Sequence, residues 1–274
     1  LVQSIGAQLM RKCVRRTGGD LLERLNDTKL LRKMAGLAST LLQDAMERSG
    51  ASIEFTRPLT ADETYARECM LAAGEVIAAC DQLDYALAYL SGYRSRRTRT
   101  GELITRTDYV AFQIENLYFR LVKVSDRCLR LASVVFQLGL QLRDCKTATV
   151  VENDHLRGTK VKTRLKAIDK AVSPYRQARN AIAHHSRYSD DDLAQVEMYS
   201  ILEKTGSLEG DSTLGSMRGV FKVYADRYID GRREEFEPAV DGLVDEVERF
   251  FAALLPHFAA RHKALAGRRT SAST

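Results

Sequence analysis

The sequence predicts an all-α fold: an antiparallel helical bundle with two long central helices and an N-terminal helical extension. Apolar residues recur at helical rather than alternating spacing almost throughout the 274 residues. Capping patterns and glycines punctuate those stretches. In the N-terminal half the only β-like letters are Ser52-Ile53-Glu54-Phe55-Thr56, cut short by Arg57-Pro58. They read as an extended linker between residues 1–50, the extension, and residues 51–266, the bundle. Residues 267–274 read as a disordered tail.

Each element has a local reason. In the extension, Leu30-Leu31, Met34, Leu37, Leu41 and Ala45 form an amphipathic stripe that Ser49-Gly50 closes. Thr60-Ala61-Asp62-Glu63 fits a capping box, so a helix runs from there to Leu90 and Gly92 ends it. Arg94 to Gly101 reads as a basic, solvated connection between antiparallel helices. The second long helix is predicted from Thr107 to Leu142, followed by a loop over Asp144 to His155. A basic helix then covers Thr159 to Val172, with Val161, Leu165, Ile168 and Val172 as its buried stripe. Lys162, Lys166 and Lys170 lie on its outer face. Ser173-Pro174 reads as an N-cap and first helical position, so a separate helix starts there. Ser189, followed by Asp190-Asp191-Asp192, reads as the next N-cap with acids on a helix N-terminus. After a polar loop over Ser207 to Gly215, Phe221, Tyr224 and Tyr228 form a seam. Past Gly231 and Pro238 the last helix carries Val240, Val244, Val247 and Phe250-Phe251, and Pro256 ends or kinks it.

Composition narrows the function. The formal net charge is +6, and its distribution says more than its sum. From His155 to Arg187 there are nine Lys or Arg against one acid, Asp169, whereas Asp226 to Glu248 is acidic. Such asymmetry points to an anionic partner on one face. Cys13, Cys69, Cys80, Cys128 and Cys145 show no paired spacing and read as reduced core residues of a cytoplasmic protein. No zinc signature, glycine-rich phosphate loop, HExxH or G-x-S-x-G is present, so neither a metal nor a cofactor is expected. The longest uncharged run, Leu131 to Leu142, is too short to span a bilayer, and no membrane partner is expected.

The most informative stretch is Pro174 to Tyr188. On a helix, Arg176, Asn180, Ala183, His184 and Arg187 share one side. Tyr175, Ala178 and Ile182 lie opposite, and Arg179 sits at the edge of the polar face. No acid lies between Lys170 and Arg187, so nothing nearby in sequence neutralises Arg176, Arg179 and Arg187. A histidine among three cations favours its neutral form, and a neutral imidazole beside guanidinium groups suits a base next to a phosphate. The plain alternative is a solvated basic helix face.

Arg179-Asn180-Ala181-Ile182-Ala183-His184 resembles the R-N-x-x-x-H form of the R-x(4–6)-H motif of the HEPN superfamily. Those are all-helical domains, many of them metal-independent ribonucleases of toxin–antitoxin and defence systems. Glu115-Asn116-Leu117-Tyr118-Phe119-Arg120 followed by Asp126 is similar to the long helix that precedes the motif in standalone bacterial members. Residues 60–205 carry the resemblance. It implies an endoribonuclease in which His184 moves the proton of the ribose 2′-OH or of the leaving 5′-oxygen. Arg179 would stabilise the in-line phosphate and Asn180 would orient the pair. Arg176, Arg187, Lys162, Lys166 and Lys170 are expected along the RNA backbone. The products would be a 2′,3′-cyclic phosphate and a 5′-hydroxyl. Some members place a tyrosine two residues after the histidine; Ser186 stands there in this chain, and Tyr188 lies beyond. Positions 179 and 184 are about 140° apart on an ideal helix. The homodimerisation implied by the resemblance would set motifs of two chains across one cleft. An antitoxin or other protein partner is also implied. The alternative reading is a non-catalytic HEPN-like module for RNA binding or protein assembly.

Overall fold

A computed structural model describes residues 24–49, 58–94, 96–184, 187–204 and 212–271. Most of the extended linker expected over residues 51–59, and the first part of the extension, lie outside them. Among the described residues the chain is all-α apart from one pair of two-residue strands. The order is α1 (Lys29–Ser49), α2 (Ala61–Leu90), β1 (Arg96–Arg97), β2 (Leu103–Ile104), α3 (Arg106–Val135), α4 (Thr147–Val151), α5 (Lys160–His184), α6 (Asp191–Lys204) and α7 (Ser212–Ser271). Two 3-10 turns, Leu142–Asp144 and Asp154–Leu156, flank α4.

Local chemistry accounts for most boundaries. At the start of α2 the Thr60 amide donates to Glu63 Oε2 at 2.9 Å, the reach-back half of the capping box. The Thr60 hydroxyl goes to Asp62 instead. Helix α3 has the reciprocal version: Thr105 N donates to Asp108 Oδ2 and Asp108 N donates to Thr105 Oγ1, both at 3.1 Å. It ends seven residues before the predicted Leu142, in a left-handed cap. Gln137 adopts φ 51°, its amide donates to Val134 O, and Leu138 N donates to Ser133 O. That pair of bonds is a Schellman motif. The loop predicted after it contains α4 and the two 3-10 turns. The basic connection predicted after α2 is a tight antiparallel hairpin, with Arg96 opposite Ile104 and Arg97 opposite Leu103. Gly101 supplies the φ of +90° that its turn requires.

The prolines correct the prediction twice. Helix α5 does not break at Pro174; the basic helix and the motif stretch are one element. Pro174 cannot donate to the Lys170 carbonyl, but Ser173 Oγ donates to that carbonyl at 2.9 Å. Ser173 therefore repairs the helix rather than capping a new one. Helix α7 likewise runs 60 residues through Pro238 and Pro256, and reaches Ser271 inside the stretch predicted as a tail. A proline inside a helix costs about 3 kcal/mol. Phe236, Val240 and Leu243 are buried around the first proline, and Phe251, Leu254 and Phe258 around the second. Each such side chain contributes about 1.5–3 kcal/mol on burial, so the apolar stripe outweighs the lost bond. Pro238 with Glu234, and Pro256 with Ala252, are exposed, which leaves the undonated carbonyls to water.

The chain divides into two compact units. One comprises the described residues of Leu1–Ala78, Arg127–Leu165 and Val244–Thr274. Its core includes Leu30 and Met34 of α1, on the predicted stripe, with Tyr65, Leu131, Val161 and Phe250. Tyr65 stacks on Phe258 with ring centroids 5.6 Å apart and donates its hydroxyl to Val135 O at 2.9 Å. The other comprises Ala79–Asp126 and Lys166–Leu243. Leu83, Ile114, Leu117, Ile168, Val172 and Phe236 are buried there. A buried hydroxyl pair, Thr107 and Ser200 at 2.6 Å, ties α3 to α6. Among the described residues no helix is long and apolar enough to cross a membrane.

Candidate nucleic-acid site

The motif helix is seated by its aromatic side. Tyr175 packs against Tyr118 of α3 and Phe236 of α7, with centroids 6.1 and 6.0 Å apart. This is the face predicted to be inward. Tyr118 also meets Tyr188 at 5.6 Å and Phe236 at 5.5 Å. With that side anchored on α3, Arg179 reaches a cleft of about 380 Å³ lined by Asn116, Phe119, Arg120, Val122, Lys123, Asp126 and Arg179. The two stretches that carried the resemblance, one on α3 and one on α5, thus meet in one place.

The partners of the basic side chains separate them. Arg120 Nε donates to Asn116 Oδ1 at 3.1 Å, and its Nη1 donates to Gln82 Oε1. Both partners are neutral amides, so the guanidinium is positioned without being neutralised. Among the described residues neither Arg179 nor Lys123 forms an ion pair. Arg176, by contrast, pairs with Asp169. Arg187 pairs with both Asp108 and Glu197 at 3.0 Å. No acid within the stretch neutralises these arginines, but acids outside it neutralise two of the three. The acids come from two turns back and from other elements, which a local window cannot see. Lys162 pairs with Glu152 at 2.8 Å. Lys166 and Lys170 are exposed.

His184 is the last residue of α5 and is exposed; Asn180 is exposed one turn earlier. Since the helix is regular through His184, the angular separation of about 140° from Arg179 stands. The tyrosine beyond the motif is structural. The Tyr188 amide donates to Glu115 Oε1 at 2.7 Å, and its hydroxyl donates to Asp190. Burial and that donated bond push the Tyr188 hydroxyl well above the usual phenol range.

Asp190, not Ser189, caps α6: its Oδ1 accepts from Leu193 N at 2.7 Å. Its Oδ2 accepts from Tyr188, from Tyr228 at 2.7 Å and from Arg232 at 2.5 Å. Burial alone would raise this carboxyl; the hydroxyls, the Leu193 amide and Arg232 outweigh it and hold it below the ordinary carboxylate range. Asp190 is thus both cap and clasp, Asp191 and Asp192 stand in the first turn of α6, and the described residues contain no cluster able to hold a metal ion.

Residues 94–227 match the family model described as Cthe2314-like HEPN. Over this stretch the chain belongs to the HEPN superfamily. Comparison with curated proteins and with solved structures gave no match. The HEPN match begins at the hairpin and ends in α7, so it includes the R-N-x-x-x-H motif and every residue lining the cleft. Gln82, which positions Arg120, lies on α2 outside the matched stretch.

Sequence reasoning missed Arg120 and Lys123 as partners of Arg179. A signal was available. Asn116, Arg120 and Lys123 are spaced i, i+4 and i+7, which places them on one face of α3, facing the same way as Phe119. What no spacing could reveal is that this face meets Arg179.

Proposed function

We propose that the HEPN domain is a metal-independent endoribonuclease that cleaves RNA by attack of the ribose 2′-OH, leaving a 2′,3′-cyclic phosphate and a 5′-hydroxyl. The observation that carries the reading is the cleft in which Arg179 of the motif stands beside Arg120 and Lys123. Of the three, Arg120 is held in place by Asn116 and Gln82, and a held cation that needs little reorganisation is what a phosphodiester gathering charge requires. RNA supplies its own nucleophile, so the remaining need is a proton carrier, and His184 is the exposed imidazole on the same helix. Arg176 and Arg187 hold structural acids and are weaker candidates for phosphate contact than Arg120 and Lys123.

The angle between Arg179 and His184 argues that one copy does not complete the site. We therefore place the working cleft between two copies, with Arg179 of one and His184 of the other bearing on the same phosphate. The likeness to HEPN domains adds to this reading a toxin or defence role regulated by a protein antitoxin.

End-labelled RNA incubated in EDTA with wild type and with His184→Ala tests the proposal. Cyclic-phosphate ends from wild type, lost by about 100-fold or more in the variant, support it. Equal RNA integrity with both proteins sinks it in favour of a binding or assembly module.

A further inference from the structure

Phe119 is the one aromatic side chain in the lining of the cleft. It is 40% exposed, although its α3 neighbours Leu117, Tyr118, Leu121 and Val122 are all buried. Around it stand Arg120, Lys123 and Arg179, with the Asn116 amide and the Asp126 carboxylate. A cleft of about 380 Å³ falls in the range of small-ligand pockets, about 300–1,000 Å³. The Asn116 oxygen accepts from Arg120.

An exposed ring interleaved with cations fits a particular chemistry. The cations match a phosphodiester backbone, and the ring offers a flat apolar face in the same cleft lining. Single-stranded nucleic acids are bound by this combination, because every base has a π-face and the backbone supplies the charge. A duplex keeps its bases stacked on each other and cannot present one to the ring. A protein partner would use Phe119 as an apolar anchor but has no need of three cations around it.

We propose that Phe119 is the stacking platform for one unpaired base of the RNA, the base adjoining the phosphate held by Arg179, Arg120 and Lys123. The inference rests on the ribonuclease reading of this cleft and adds to it a base-contacting side chain, Phe119, with little preference for base identity at the stacked position.

The sequence contains no tryptophan, so Phe119→Trp places the sole indole in the cleft. Its fluorescence is titrated with a short oligouridylate, with the same strand annealed into a duplex, and with heparin as a polyanion without bases. Binding is followed in parallel by anisotropy. Quenching by the single strand alone is expected. Phe119→Leu, which keeps the bulk but not the ring, should weaken single-strand affinity about 5- to 100-fold, the cost of one lost stack. Phe119→Tyr should restore it. Phe112, 62% exposed on the same helix but outside the cleft, provides the control: Phe112→Leu should bind as wild type.

Single-strand binding without quenching, or with full affinity in Phe119→Leu, overturns the platform and leaves the RNA reading in place. Failure of wild type to bind any RNA removes both. A Phe119→Leu protein that changes oligomeric state while binding RNA normally assigns the ring to a protein interface and overturns the inference.

Discussion

The guanidinium of Arg120 is held by the amide oxygens of Gln82 and Asn116, and that of Arg176 by the carboxylate of Asp169. The first arrangement fixes a charge that remains available; the second cancels it. Arg120→Ala should therefore lower RNA turnover by about 10-fold or more. Arg176→Ala should leave turnover near wild type and cost less than about 1 kcal/mol of stability, since its pair is only partly buried. Denaturant titration and cleavage assays on the two variants separate these outcomes. Lys123→Ala should weaken RNA binding for all sequences alike and reduce the slope of log affinity against log salt by about 1. A residue away from the cleft gives a pH prediction. Burial and the nearby Asp84 push the Asp81 carboxyl up to about 6, and its Oδ1 is buried with no hydrogen-bond partner among the described residues. The folded state thus holds this proton more tightly than the unfolded one. The stability it contributes is present below the ordinary pKa of 3.8 and is lost as pH rises through about 6. Asp81→Asn should raise Tm at neutral pH, and the gain should vanish near pH 4.

At the scale of the element, α5 decides where the motif points. Its continuity through Pro174 rests on Ser173 Oγ serving the Lys170 carbonyl. Ser173→Ala removes that donor and should destabilise the protein by about 0.5–1.5 kcal/mol. The wild-type motif would then be carried by a loosened helix, so RNA cleavage should fall more than global stability does. Thermal unfolding compared with turnover at a temperature well below Tm checks this. The same element shows why sequence reading split it. Ser-Pro is a start signal wherever the preceding residues are not helical, and a local window cannot tell repair from initiation. The apolar stripe of Val161, Leu165, Ile168 and Val172, by contrast, was legible and is buried throughout.

At the scale of the molecule, the separation of Arg179 and His184 on a regular helix predicts a site shared between copies. Neither Arg179→Ala nor His184→Ala alone should cleave RNA. Mixed after co-refolding, they should recover about a quarter of wild-type activity. Half the dimers would then be mixed, and each mixed dimer would keep one of its two composite sites. Absence of recovery, with mixed dimers shown to form, would return both residues to a single copy.

The sequence by itself determined the all-α class and the buried stripes of the long helices, because 3.6-residue periodicity and capping chemistry are local and each is readable within a few turns. It also determined that a basic, R-N-x-x-x-H-bearing helix is exposed along one side. Only the tertiary structure decided which cations remain free to meet phosphate. Asp169, Asp108 and Glu197 neutralise Arg176 and Arg187, while Gln82 and Asn116 leave Arg120 charged. Those partners lie on other turns and other helices, and an ion pair leaves no periodic trace. The prolines of α5 and α7 were decided the same way. Their cost is visible in the sequence, but the burial that exceeds it is summed over contacts that only the folded chain brings together.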